Sequence, residues 1–457
     1  MKSRFLFVLI FSACLFPAIQ LFAQDSTSPG IQLTGMASLV EGQFVKCKYY
    51  LDAGDGTMPF RPWVTNEYAR LGIKAAINRH LSMIIIPQLK LWNDTWDWKN
   101  MNSSGAANNP LSQHATFSLA DAEGIFSFDI GDAAAFNIAT GVMPYKYDYE
   151  AKNLGEYLFR TGEHPAYILG SFDEAYATLT GLRINAEIFK NFSMDLLFTT
   201  ETQVQPINDW SLSFLVKYKL PQYIDAGAGV MFDRMIPVSG LLDKSDGGAG
   251  SPNTYYTSSG QLDSFSWGGT KVMAHLSIDP KGFLPEDIAN IFGKEDGKFY
   301  GEAAILGVKN ITAYMHPTDD NTGLVDTTQL IVDSSKNYYS NMSKRIPIMF
   351  GFNVPTFNVL DYLSTEFEWY GWPYSSSIYD LENFKYLLPK PRGVSSASHW
   401  KYSFNLKKTF WERVSIIGQI ARDHTRHDVY YNGNTDVMEV FQDNSDWGWW
   451  LKLQFNF

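Results

Sequence analysis

The 457-residue chain is predicted to be all-β, a closed antiparallel transmembrane β-barrel. About 16 strands are expected, within a range of roughly 14–18, with short periplasmic turns and long extracellular loops. Three observations carry this. Apolar and polar residues alternate along almost every extended segment, the signature of strands with one apolar face. The connections sort into a short set and a long set that alternate. The last twelve residues, "DWGWWLKLQFNF", put Trp447, Trp449, Leu451, Leu453, Phe455 and Phe457 on one strand face. Asp446, Gly448, Trp450, Lys452, Gln454 and Asn456 fall on the other. That length suits a tilted membrane-crossing strand. Lipid satisfies no backbone hydrogen bond, so such a sheet has to close on itself. A soluble sandwich gives no reason for turns to sort by length. A propeller would show a repeated motif at fixed period, and none is found.

The amino terminus, "MKSRFLFVLIFSACLFPAIQLFAQ", has Lys2 and Arg4 before an apolar run and a small-residue cleavage signal ending at Ala23. It reads as a secretory signal peptide over residues 1–23, leaving 24–457 as the barrel. Cys14 within "FSAC" offers a lipoprotein reading, but the apolar run continues to Phe22. Removing Lys2 and Arg4 takes the formal charge from −11 to −13 and leaves Cys47 as the single thiol. An internal disulfide is then impossible. The acidic balance argues against nucleic acid as a partner.

The elements follow in order. A first strand lies within 31–51. "YARLGIKAAIN" (68–78) turns at "NRH" into "LSMIIIPQLKLW" (81–92), and a long connection follows. "GIFSFDIGDAAAFNIATGV" is a hairpin about Gly131-Asp132, followed by the long segment 144–171. Short turns then join 176–189 to "FSMDLLFTTE", and 211–220 to "IDAGAGVMFDRM". Residues 270–279 lead through "LPEDIANIFG", read as a short periplasmic helix over 283–293, into "KFYGEAAILGV". Residues 345–354, 401–410 and their partners complete the series, the last pair turning at Trp411-Glu412.

Residues 446–453, "DWGWWLKL", give polar–x–Gly–x–x–apolar–x–apolar, and the chain stops on an aromatic. This resembles the terminal β-signal of Gram-negative outer-membrane proteins. The resemblance implies an assembly signal at Gly448, Leu451, Leu453, Phe455 and Phe457, read by the barrel assembly machinery. Size and strand number are similar to those of general porins and of sugar or anion porins. That resemblance implies a cell outer-membrane location, passive diffusion of small hydrophilic solutes such as sugars, a homotrimer, and a third external loop that narrows the lumen. Residues 144–171 are the third long loop, and Asp148, Glu150, Glu156, Arg160 and Glu163 are its constriction candidates.

Period two assigns the pore-lining candidates. They are Arg70, Lys74 and Lys90 on strands two and three, Arg183 and Glu187 on six, Asp195 on seven and Asp225 on nine. Glu366 and Glu368 on thirteen, Lys401 and Lys407 on fourteen, Arg413 on fifteen and Lys452 on sixteen complete the set. Basic positions gather on strands fourteen to three and acidic ones on seven, nine and thirteen, an arrangement that would set a field across the lumen. The acidic total charge suggests a mild cation preference. Trp92, Trp96 and Trp98 beside Asn93, Asp94 and Asp97 suit either sugar stacking or an interfacial girdle.

Catalytic chemistry is not expected, and neither a cofactor nor a metal. In "ARDHTRHDVYY", His424 and His427 would point to opposite faces of a strand, as a solvated rim does. The serines of 395–399 and His164 assemble no nucleophile, base and orienter. Two other readings remain: a structural or adhesive barrel displaying the polar loops 241–264 and 316–344, and an outer-membrane hydrolase.

Overall fold

The computed structural model describes residues 30–46, 63–94, 113–131, 133–159, 176–189, 191–200, 210–220, 223–236, 254–256, 262–264, 269–306, 308, 314–317, 325–331, 346–370, 400–431, 434–439, 441 and 444–457. Sixteen antiparallel strands close into one barrel. They are β1 (Gly30–Lys46), β2 (Trp63–Ala76), β3 (Leu81–Asp94), β4 (Gln113–Ile130), β5 (Ala134–Tyr145), β6 (Ala177–Ile188), β7 (Phe192–Thr200) and β8 (Trp210–Leu220). The second half is β9 (Ile224–Ile236), β10 (Gly269–Ile278), β11 (Phe299–Ile305), β12 (Pro347–Asn353), β13 (Tyr362–Tyr370), β14 (Trp400–Phe410), β15 (Val414–Arg422) and β16 (Trp447–Asn456). Each pairs with its neighbours in sequence, and β16 pairs with β1 from Asn456↔Met36 to Trp447↔Lys46. No helix among the described residues is long and apolar enough to cross a membrane.

Burial is inverted relative to a soluble protein. Leu71, Ile73, Ile85, Leu89, Phe214, Leu276, Phe350, Phe404, Ile420 and Leu451 are exposed on the outside, while Asn66, Ser213, Glu302, Glu366, Lys401 and Lys452 are buried within. Outward apolar and inward polar positions are what a bilayer demands of a barrel. Alternation carries this out strand by strand: on β13, Glu366 and Glu368 are buried and Phe367 between them is exposed. Three barrel pairs carry a register shift: β1 with β16 at Phe44/Lys46, β8 with β9 at Trp210/Leu212, and a bulge where β3 residues Ile86 and Pro87 meet Asp121 and Leu119 of β4. The proline there donates no ladder hydrogen bond, which suits a bulge.

Short turns close one end and long connections the other. Trp411 and Glu412 both carry positive φ (51° and 59°) within the three-residue turn 411–413, which the Arg413 amide closes by donating to the Phe410 carbonyl at 3.1 Å. Gly141 and Gly181 lie directly opposite each other on β5 and β6. Their φ values are 134° and 149°, and a Cβ at either would fall 2.0–2.2 Å from a carbonyl oxygen of the adjoining strand. Only glycine lets the wall bend so sharply there.

The insertion between β10 and β11 differs from a helix spanning 283–293. A 3-10 turn (Pro280–Phe283) precedes a one-turn helix α1 (Glu286–Ala289), whose N-cap Pro285 offers no side-chain acceptor. The chain then tightens through Ile291 N–H to Ile288 O and Phe292 N–H to Ala289 O, too short a run to propagate a helix. At the long-connection end, residues 262–264, 254–256, 325–331 and 314–317 form a separate four-stranded sheet, in that order. Residues 1–23 lie outside the described residues, as do Trp96, Trp98, His164, 395–399 and most of 241–264 and 316–344.

Candidate functional site

The connection after β5 does not stay outside the sheet. Residues 146–159 cross to the inward faces of β11, β13 and β14, and wall carboxylates accept their N–H groups. Glu302 on β11 accepts the Tyr147 hydroxyl at 2.5 Å and the Glu156 and Tyr157 amides at 2.7 and 2.9 Å. Glu366 on β13 accepts the amides of Lys152, Asn153 (2.9 Å) and Leu154 (2.8 Å), together with the Tyr300 hydroxyl at 2.9 Å. Glu368 accepts the Tyr157 hydroxyl at 3.0 Å and meets His424 Nε2 at 2.6 Å. The Asn153 side chain donates to Ser403 on β14 (2.9 Å) and to Asp423 (2.7 Å). Within the segment, Glu156 accepts the Tyr147 and Asp148 amides. Its backbone (φ 61°) and that of Gly155 (φ 86°) are left-handed.

Apolar residues of the same segment fill one side of the lumen. Leu154, Tyr157, Leu158 and Phe159 pack with Tyr145, Leu179, Leu197, Leu215, Met231, Met273 and Met349. Buried backbone amides need acceptors inside a barrel as they do in any core. The wall carboxylates supply them, and the leucines supply the burial.

The segment reaches the short-turn end. Lys298 bonds Glu150 and Glu295, each at 2.9 Å, and Lys152 meets Glu295 at 3.4 Å. Burial works against the charge of Glu295, but Lys152 and Lys298 outweigh it and hold the carboxyl down at about 2. Burial opposes the charge of Lys298 too, and Glu150 and Glu295 more than restore it, raising it above an ordinary lysine. Asp296 ties the insertion to the next turn, accepting the Gly293 amide (2.8 Å), the Thr356 hydroxyl (3.0 Å) and the Phe357 amide (2.7 Å).

The other sequence-derived candidates divide as follows. Arg183 pairs with Asp195 at 2.8 Å, and Tyr145 and Asn185 also donate to Asp195. Asp225 pairs with Lys217 at 3.0 Å. Arg70 donates to Gln88 at 2.6 Å. Lys90 and Lys452 stand 5.2 and 5.8 Å from the Tyr68 ring centroid. Lys401 donates to the carbonyls of Asp423 (3.1 Å) and Phe441 (2.9 Å). Lys407 lies opposite Tyr362 and Ile417 in inward register. Lys74 and Glu187 hold inward register but are exposed near the short-turn end. Asp148 is buried and accepts the Glu150 amide at 3.0 Å. Arg160 and Glu163 lie outside the described residues.

Two placements correct the sequence reading. Arg413 sits in the exposed 411–413 turn, outside the span of β15, because the hairpin needs it as a turn residue. His424 and His427 are not on one strand: β15 ends at Arg422, and 426–431 pairs with 434–439 in a separate hairpin. The Thr425 amide and hydroxyl both donate to Asp423, which fixes the break. His424 is thereby brought onto Glu368.

Sequence reasoning missed Glu302, Glu295, Lys298, Lys217 and Asn153, and read Asp423 only as part of a solvated rim, whereas it is buried and accepts from Asn153 and Gln419. Glu302 had a signal: a lone carboxylate in the otherwise apolar "YGEAAI" of β11. It also left unused Trp450, assigned to the polar face, which packs edge-on with inward Phe44 and with Phe441 of the last long connection. Within the terminal segment, Gly448 is buried and Leu451 exposed. Leu453 and Phe455 pair with Leu39 and Ala37, and Phe457 exchanges backbone hydrogen bonds with Gly35.

No protein-family model matches the chain, and no curated protein matches it. Among solved structures it is similar to Rhodopseudomonas blastica porin, in a triple mutant, at 10% identity and TM-score 0.42, with 93% of this chain and 100% of that one covered. It is also similar to Salmonella typhi OmpF in complex with daunomycin, at 11% identity and TM-score 0.47, covering 95% and 99%.

Proposed function

We propose that the chain is an outer-membrane porin: a water-filled barrel for passive diffusion of small hydrophilic solutes, narrowed by residues 146–159. The observation that carries this is the inserted segment, bonded along its backbone to Glu302 and Glu366 on the opposite wall. A barrel that only anchored loops would have no need to hold a loop inside. The remaining polar wall runs along β14–β16 and β1–β4. Export through a cleaved signal peptide, recognition of the 448–457 signal by the assembly machinery, and trimerisation belong to the same reading. The acidic total charge does not carry a cation preference into it, because Asp195 and Asp225 face Arg183 and Lys217. Reconstitution in a planar bilayer with a KCl gradient tests the proposal. Stable ohmic steps with a defined reversal potential are expected, and a folded barrel that stays silent refutes it. Silence would favour the second reading, an anchoring barrel displaying its loops, for which the apolar filling around Leu154 and Leu158 speaks.

A further inference from the structure

Resting on the channel reading, we propose that the inward faces of β16, β1, β2 and β3 form a binding site for a small oxyanion. The ligand would be the carboxylate or phosphate group of a solute in transit. Asn66 on β2 is only 1% exposed, and neither its amide nitrogen nor its carbonyl oxygen has a hydrogen-bond partner. Ser38 on β1 is 3% exposed, and its hydroxyl has none either. Three buried polar atoms without partners are costly inside a protein. They lie together: Ser38 pairs with Tyr68, and Val40, two residues on, pairs with Asn66. Such diagonal neighbours on one sheet face sit roughly 7–8 Å apart, a gap one small polyatomic ligand spans.

The surroundings select its charge. On the other side of β1, Val40 pairs with Lys452 and Ser38 with Gln454. Tyr68 pairs with Lys90, and the ammonium groups of Lys90 and Lys452 both approach its ring. Arg70 follows Tyr68 on the same face, held to Gln88. Among the described inward positions 448–456, 30–46, 64–76 and 82–90 there is no carboxylate; Asp121 of the neighbouring β4, opposite Ile86, lies beyond the Arg70 end of the arc. Two hydrogen-bond donors, the Asn66 amide and the Ser38 hydroxyl, therefore lie within an arc of three cationic side chains. A carboxylate or phosphate has the geometry and charge to meet them. The Asn66 carbonyl is left to accept from a hydroxyl of the same solute.

Calorimetric titration of the full folded barrel in detergent tests this, using inorganic phosphate, succinate and glucose as probes. Phosphate or succinate, or both, should bind saturably, and glucose should not; whichever binds identifies the anion class. Asn66→Leu, Ser38→Ala and Lys452→Gln should each weaken binding about tenfold or more, the loss of one hydrogen bond to a charged ligand. Lys294→Gln, which removes an exposed lysine outside the lumen, should leave it unchanged. If Asn66→Leu fails to fold, Ser38→Ala carries the same test. Absence of anion binding, equal binding of glucose, or affinity indifferent to Ser38 and Lys452 overturns the proposal. A barrel that binds phosphate but does not conduct would sink the channel reading and keep the site. One that conducts without binding would do the reverse.

Discussion

Replacing Glu366 by alanine removes the acceptor of three backbone amides and one hydroxyl in a single step. Glu366 is fully buried, so the stranded donors meet no bulk water. Each unsatisfied buried donor costs about 1–3 kcal/mol, so three amides together amount to roughly 3–9 kcal/mol. Against this stands the burial of Leu154 and Leu158, worth about 1.5–3 kcal/mol each, and the bonds to Glu302. The two sides are comparable, so the segment should leave the wall for a substantial fraction of the time while the barrel itself stays closed. Glu366→Gln should do less harm. Its carbonyl can occupy the position that serves Asn153 and Leu154, leaving the Lys152 amide facing an NH2 group, and the Tyr300 hydroxyl can turn to accept. Single-channel conductance should therefore rise in the order wild type, Gln, Ala, with broader current noise in the alanine variant. Limited proteolysis should cut near Lys152 in the same order. Conductance and cleavage patterns unchanged in Glu366→Ala would refute the reasoning, because they would mean the carboxylate does not hold the segment.

Other expectations follow from the same contacts. Glu295 is held at about 2, below the 4.5 of a free glutamate. A depressed carboxyl stabilises the fold above its unfolded value and loses that contribution as pH falls through the folded one. Attachment of 146–159 should therefore weaken between about pH 4.5 and 2, read by proteolysis after acid exposure, and Glu295→Gln should flatten that window. A Cβ at Gly35 would fall 2.2 Å from the Phe457 ring and 2.9 Å from the Arg70 carbonyl oxygen. Gly35→Val should thus lower the yield of closed barrel, seen as loss of the heat-modifiable band on gels, whereas Gly124→Val, with open space around it, should not. His424→Ala leaves Glu368 with only the Tyr157 hydroxyl among these contacts. A cost of about 1–3 kcal/mol should appear as a lower unfolding midpoint in denaturant. Glu412→Gly removes a left-handed strain of about 1–2 kcal/mol at an exposed turn and should raise that midpoint.

Alternation and turn lengths were enough to read the barrel, because both are local: period two sets which side chain faces lipid, and a tight turn is written in two to four residues. The terminal strand was legible for the same reason, and the same period assigned Arg70, Arg183, Glu366 and Lys452 to the inner face. What sequence could not reach was which groups meet across the lumen. Glu302 lies 146 residues from the Glu156 amide it accepts, and Asn153 lies 270 residues from Asp423. Closing a cylinder makes such pairs neighbours, and no periodicity along the chain encodes a contact across its diameter. The break at Asp423 was hidden too, since a strand-like sequence left the sheet on the strength of one side chain's hydrogen bonds to Thr425. The sequence alone determined a closed wall of about sixteen strands with a polar inside. Only the tertiary structure decided what that inside holds: a backbone segment tethered by carboxylates on one side, and on the other an arc of lysines around two unsatisfied polar side chains.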